Sequence, residues 1–194
     1  MRAFAVVPVV VALLASAAGA TTWQLDPAHT SVQFSIRHMM VSNVRGEFTK
    51  VSGTANADDA DLTKSTLEAT IDTASIDTHN DKRDEHLRSP DFFDVAKFPT
   101  MTFKAKKIGK QGDGHYAVTG DLTLHGVTKE VTLDVEGPTP TVKDMMGTMR
   151  AGAHATTTIK RSDFGIVWNK TLEAWGVALG DDVQVSIDVE GVQK

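Results

Sequence analysis

Thr66-Leu67-Glu68-Ala69-Thr70-Ile71-Asp72 reads as a strand with one wet face and one dry face. Polar and apolar residues alternate along its whole length. A period of two marks extended backbone, whose successive side chains point to opposite faces of a sheet. The same pattern recurs on both sides of this stretch. Ser31-Val32-Gln33-Phe34-Ser35-Ile36-Arg37 carries it upstream, and Val183-Gln184-Val185-Ser186-Ile187-Asp188-Val189 carries it near the C-terminus. Between them, Glu130-Val131-Thr132-Leu133-Asp134-Val135-Glu136 alternates cleanly. Val118 to Leu124 does nearly the same, with Gly120 in the inward register. Strands of this kind belong to antiparallel sheets, because parallel sheets bury both faces.

Turn signals separate these segments. Gly112-Asp113-Gly114 predicts a hairpin between Lys104 to Ile108 and Tyr116 to Leu124, and His125-Gly126 divides Leu124 from the strand around Val131. Gly137-Pro138-Thr139-Pro140 opens a longer loop before Met149. About eight strands emerge with no βαβ rhythm. One polar segment breaks the pattern. Thr78-His79-Asn80-Asp81 has the form of a capping box, which predicts a short helix running to Arg88 before Pro90 stops it. Asp84 and Arg88 are spaced to pair on that helix. Only Leu87 in it is clearly apolar, so its order must come from packing onto the sheet. The residues alone describe an all-β domain: one antiparallel up-and-down barrel, or a strongly curved sandwich, with a short helical lid.

Composition narrows the function classes. Arg2, the apolar run Val6 to Ala17 and the small residues Ala18-Gly19-Ala20 predict a cleaved signal peptide over residues 1–20, leaving one domain, 21–194, that starts at Thr21. No later stretch is apolar enough to span a bilayer, so stable membrane insertion is not expected. The chain has no Cys, which excludes disulfides, thiol catalysis and thiolate metal sites. With 20 Lys+Arg against 25 Asp+Glu the net charge is −5, with the signs interspersed, so no basic face for nucleic acid is expected.

Motifs for chemistry are few. Gly112-Asp113-Gly114-His115-Tyr116-Ala117 has dinucleotide-site spacing, but a Lys-rich stretch precedes it and an alternating strand follows, so it reads as the hairpin. The seven His show no tight ligand spacing. His79 and His86, with Asp81, Asp84 and Glu85 between them, are the loose candidates for a metal, and none is expected. No catalytic set and no cofactor are expected either. Arg83, Asp84 and His86 are the only clustered polar residues an enzyme could draw on. Phe92, Phe93, Phe98 and Phe103 crowd one stretch, and Met145, Met146 and Met149 lie beside the long loop. Neighbours in a regular strand face opposite ways, so Phe92 and Phe93 cannot both line one cavity from a strand. Phe93 is the one assigned to the cavity.

Alternation then assigns an inner face. Phe34, Ile36, Leu67 and Ile71 fall in step with polar outward neighbours. So do Leu122, Leu124, Leu133 and Val135, and Val185 and Ile187. Phe48 and Phe103 join them from the strands around Gly46 and Thr102. These are the candidate ligand-contacting residues.

Several blocks of this sequence are similar to the YceI-like family of exported bacterial proteins. They begin with Trp23-Gln24-Leu25-Asp26-Pro27-Ala28-His29-Thr30-Ser31, Arg37-His38 and Val44-Arg45-Gly46-Glu47-Phe48. Ser75-Ile76-Asp77-Thr78, Arg83 to Ser89, Asp91-Phe92-Phe93-Asp94 and Phe98 to Phe103 follow. Gly120 to Lys129 and Lys160-Arg161-Ser162-Asp163-Phe164-Gly165 complete the set, so the likeness spans nearly all of residues 21–194. The segment Glu136 to Thr148 departs from it. The resemblance implies an eight-stranded lipocalin-like barrel in the periplasm that binds a polyisoprenoid or another long apolar lipid, such as a quinone, and leaves a homodimer open. Two other readings remain. One is a barrel enzyme, an isomerase or hydrolase on an apolar substrate. The other is a stress-related structural protein with a filled core.

Overall fold

A computed structural model describes residues 19–172 and 176–194. Most of the expected leader, residues 1–18, therefore lies outside the described residues. The chain runs through β1 (Ala20–Leu25), β2 (Ser31–His38), β3 (Ser42–Phe48), β4 (Val51–Asp58), β5 (Thr66–Asp72) and β6 (Ile76–Asp77). Helix α1 (Asp81–Arg88) follows, then β7 (Thr100–Gly112), β8 (His115–Leu124), β9 (Val127–Glu136), β10 (Val142–Lys143) and β11 (Met149–Lys160). β12 (Thr171–Leu172), β13 (Gly176–Val177) and β14 (Leu179–Gln193) end it.

Three pairs of short strands act as one strand each. β1 and β2 lie in series along the same edge of β14, with Trp23 opposite Gln193 and Phe34 opposite Val185. β4 pairs with β1 and β5, while β3 pairs with β2 and β6, so β3–β4 and β5–β6 are also continuous ribbons with a break. With these joined, the order is a meander, each ribbon antiparallel to the next, and β14 closes onto both β11 and the first ribbon. The result is a closed antiparallel eight-stranded barrel with one short helix. Closure removes the free edges that an open sheet would leave.

Turn chemistry sets the register. His125 (φ 52°) and Gly126 (φ 75°) both occupy the left-handed region, as a two-residue hairpin between right-twisted strands requires. Asp113 and Gly114 connect β7 to β8, so the glycine-rich motif is a hairpin. Gly120 faces inward as its register requires. A Cβ there would stand 2.7 Å from the ring of Phe103, so the glycine gives Phe103 its place.

The interior is unequal along its length. One part is packed with large side chains: Ile76, Phe164, Met101 and Leu124, at 0%, 1%, 5% and 5% exposure, form one cluster with Val32, Phe48, Val51, Phe92 and Ile166. Toward the start of β1 and the end of β14, inward positions are small instead. Gly53, Ala55 and Ala57 on β4 and Ala151 and Ala153 on β11 hold that part of the inner face.

The lid differs from its sequence reading. Asn80, not Thr78, caps α1, its side chain accepting from the Arg83 amide. Thr78 is buried and donates its amide and hydroxyl to Asp84 Oδ1, at 3.0 and 2.5 Å. Asp84 therefore does not pair with Arg88, whose guanidinium donates to the carbonyls of Ala74 and Ile76. A buried carboxylate and an arginine fork dock this polar helix onto the barrel, where its few apolar residues could not.

Candidate ligand-binding site

The candidate residues fall into four groups. Phe48, Leu124 and Leu133 are buried. Phe34, Ile71, Phe93 and Leu122 are half-buried and pack onto the large cluster. Leu67, Phe103 and Val135 pack onto a second, smaller cluster of Val118, Leu133 and Ala155, and Ile187 touches both clusters. Ile36 and Val185 are half-buried on the inner face and belong to neither cluster. Phe93 sits in the segment after α1, where its amide donates to the Leu87 carbonyl, so strand alternation does not govern it. Phe92 and Phe93 both pack inward, Phe93 edge-on to Phe48 and Phe92 against Trp168.

The register adds residues that alternation in single strands had not singled out. Trp23 stands opposite Ala55, Ala55 opposite Leu67, and Val189 opposite Ala153. These are half-buried inner positions at the small-residue end. A cavity of about 870 Å³ lies elsewhere, on the outer face across β3, β2, β14, β11 and β9. Gln33, Gln184, Thr156 and Thr158 are exposed and alternate with inward residues. Phe34, Leu133 and Val185 border this cavity only as the residues between such polar neighbours. Most of its lining residues are polar side chains of the outer wall, so it is distinct from the apolar interior.

The polar candidates do not converge. Asp84 is committed to Thr78, and Arg83 donates to the hydroxyl and carbonyl of the same residue at 2.7 and 2.9 Å. His86 turns away, bonds to Asp91 at 2.8 Å and stands edge-on to Phe92 and Trp168. His79 lies 3.4 Å from Asp77 and shares no partner with His86. The structure gathers a different set, Asp26, His29 and Glu190, close enough for ligand atoms to share one ion. Arg150 fills that position. Its guanidinium bonds Asp26 at 2.7 Å, Asp144 at 2.8 Å and also Glu190. Arg150 holds the Asp26 and Asp144 carboxyls below the usual range, with backbone amides adding to the effect, and these carboxylates raise the arginine in turn. No sequence spacing betrays this hub, because its members come from β14, β11 and two separate loops.

Arg161 is a second feature that motif reading missed. It is 7% exposed and donates to the carbonyls of Gly180, Ile166 and Trp168. Burial pushes its pKa down, opposed by Asp181. The guanidinium staples residues 161–168 across the packed end of the barrel, where Phe164 and Ile166 join the core.

A closed antiparallel barrel with an apolar inner face and a latched helix defines a lipocalin-like class of architecture. The YceI-like domain description matches residues 23–191, and the chain belongs to that family. A UPF0312 protein of Staphylococcus aureus strain bovine RF122 is 39% identical over 170 residues, which are 88% of this chain and 96% of that protein. The crystal structure of BcnA from Burkholderia cenocepacia is similar with a TM-score of 0.73 at 25% identity, covering 86% of this chain and 98% of BcnA. A Campylobacter jejuni YCEI protein gives a TM-score of 0.69 at 35% identity, covering 81% and 90%. A polyisoprenoid binding domain from Saccharophagus degradans shares the fold, with a TM-score of 0.63 at 17% identity over 89% and 98% of the two chains.

Proposed function

We propose that this chain is an exported binding protein that holds one elongated apolar molecule, a polyisoprenoid or quinone-like lipid, inside the barrel and does no chemistry on it. One observation carries the reading. The barrel is closed, yet inward residues such as Ala55, Leu67, Phe103, Val135 and Val185 remain half-buried. Side chains on the inner face of a filled core lose nearly all their accessible surface. Retained accessibility on an inward, apolar face is what a lined hollow produces.

The energetics suit such a ligand. Burying each CH₂ gains about 0.8 kcal/mol, so a chain of several isoprene units is held by burial alone. Few directional polar groups are then needed, in keeping with polar candidates that are occupied by structural bonds. The Saccharophagus degradans domain with this fold is described as binding polyisoprenoid, which supports the same ligand class here. The leader expected over residues 1–20 supports export, here to the periplasm.

Trp23 provides a reporter, since it lies half-buried on the inner face beside Gly191. Titrating the protein with a long-chain polyprenol, with a matched long-chain sugar detergent as control, is expected to give a saturable blue shift of Trp emission with polyprenol alone. A shift that never saturates, or one equal with the control, would overturn the proposal.

A further inference from the structure

Large apolar side chains are exposed at the tip of the β2–β3 hairpin. Met39, Met40 and Val41 are 44%, 57% and 77% exposed, and Val177 beside them is 39% exposed. Met39 (φ 49°) and Met40 (φ 61°) both hold left-handed backbone. Such positions favour Asn or Gly, and methionine there works against local preference. The tip is nonetheless braced. The Met39 amide donates to the Ala178 carbonyl at 2.8 Å, and Arg37 donates to the Met40 carbonyl at 2.8 Å. An apolar knob is thus held out in water, in a rigid turn that polar residues would fit better.

Its surroundings say what it faces. Arg37 and Arg45 lie on the same hairpin, and Lys170 lies next to it, its carbonyl accepting from the Ala178 amide at 2.9 Å. All three are exposed, and among the described residues none pairs with a carboxylate. The other exposed apolar loop, Met145 and Met146, has a more neutral setting. It adjoins one carboxylate, Asp144, and one exposed cation, Lys143, while Arg150 beside it is neutralised by three carboxylates. Apolar side chains flanked by cations that pair with no described carboxylate complement a surface with anionic groups above a hydrocarbon layer.

We infer that the β2–β3 hairpin tip docks the barrel onto an anionic lipid bilayer, with Met39, Met40 and Val41 entering the interface and Arg37, Arg45 and Lys170 meeting headgroup phosphates. This is peripheral contact. No described helix is long and apolar enough to cross a membrane. The docking stands apart from the interior reading, because an empty barrel presents the same tip.

The test is co-sedimentation of protein purified from its own host with vesicles of phosphatidylglycerol and phosphatidylethanolamine. Phosphatidylcholine vesicles are the neutral control. The wild type is expected to partition onto the anionic vesicles, and Arg45→Gln or Lys170→Gln each to weaken this about fivefold, the worth of one cation near such a surface. Met39→Asn with Met40→Gly suits the turn, so thermal stability is expected to hold or rise while vesicle binding is lost. Met145→Ser with Met146→Ser is expected to bind as the wild type does. A hairpin variant that still binds fully overturns the inference. So does a wild type that ignores anionic vesicles, including one that instead self-associates through the tip. Vesicle binding by protein that carries no extractable lipid and takes up no supplied polyprenol fails the interior reading alone.

Discussion

Arg161 shows how a single residue organises one end of this molecule. Three backbone carbonyls share its guanidinium, and among the described residues no carboxylate bonds it. The fork geometry is what permits three separated acceptors, so lysine is not an equivalent. Arg161→Met leaves buried carbonyls unpaired, and the expected loss is about 3 kcal/mol of stability. Thermal unfolding is expected to show a Tm lowered by roughly 10 °C, with Arg161→Lys recovering little of it. An unchanged Tm in Arg161→Met would refute the staple. Nothing in Lys160-Arg161-Ser162-Asp163 revealed this role. Its partners lie partly in Gly180, at the far end of another connection, and only the folded chain brings them together. Phe34 and Leu67, by contrast, pack inward as their immediate neighbours imply, because a period of two is a local property.

At the level of elements, strands were legible and breaks were not. The stretch Thr66 to Asp72 is β5 from end to end. The division of the first ribbon into β1 and β2 was not apparent, since the loop at residues 26–30 is fixed by the distant Arg150. That hub also ties the Asp144 loop to the outer wall, and it gives the barrel a pH dependence with a definite sign. Asp26 and Asp144 have folded values held below the ordinary 3.8. The unfolded chain then binds protons more readily, so the stability they contribute is complete above about pH 5 and fades as pH falls through the folded values. The expected result is that Tm declines from about pH 5 downward in the wild type, and declines less steeply in Arg150→Gln, where the carboxyls lose the largest of the interactions that hold them down. Parallel pH profiles for the two proteins would remove the hub from this account. The lid taught a related lesson. A capping-box spacing at Thr78 was present, yet Asp84 took Thr78 for a tertiary bond and left the cap to Asn80.

For the molecule as a whole, alternation assigns one inner face, and the structure divides it. Leu124 is in the packed part, 5% exposed, so Leu124→Trp is expected to cost about 2 kcal/mol as overpacking. Val185 lies outside both clusters, so Val185→Phe is expected to fold with a change under about 1 kcal/mol. Single-strand periodicity cannot tell these two positions apart, because it gives direction and not the volume that converging strands leave between them. The central claim is that this volume belongs to a lipid. Its most direct test is mass spectrometry of organic extracts from protein purified from its own host, wild type beside Val185→Phe. The account predicts close to one apolar lipid per wild-type chain and an empty, folded variant. Wild-type protein that carries no apolar lipid, and takes up none when a long-chain polyprenol is supplied, would contradict it.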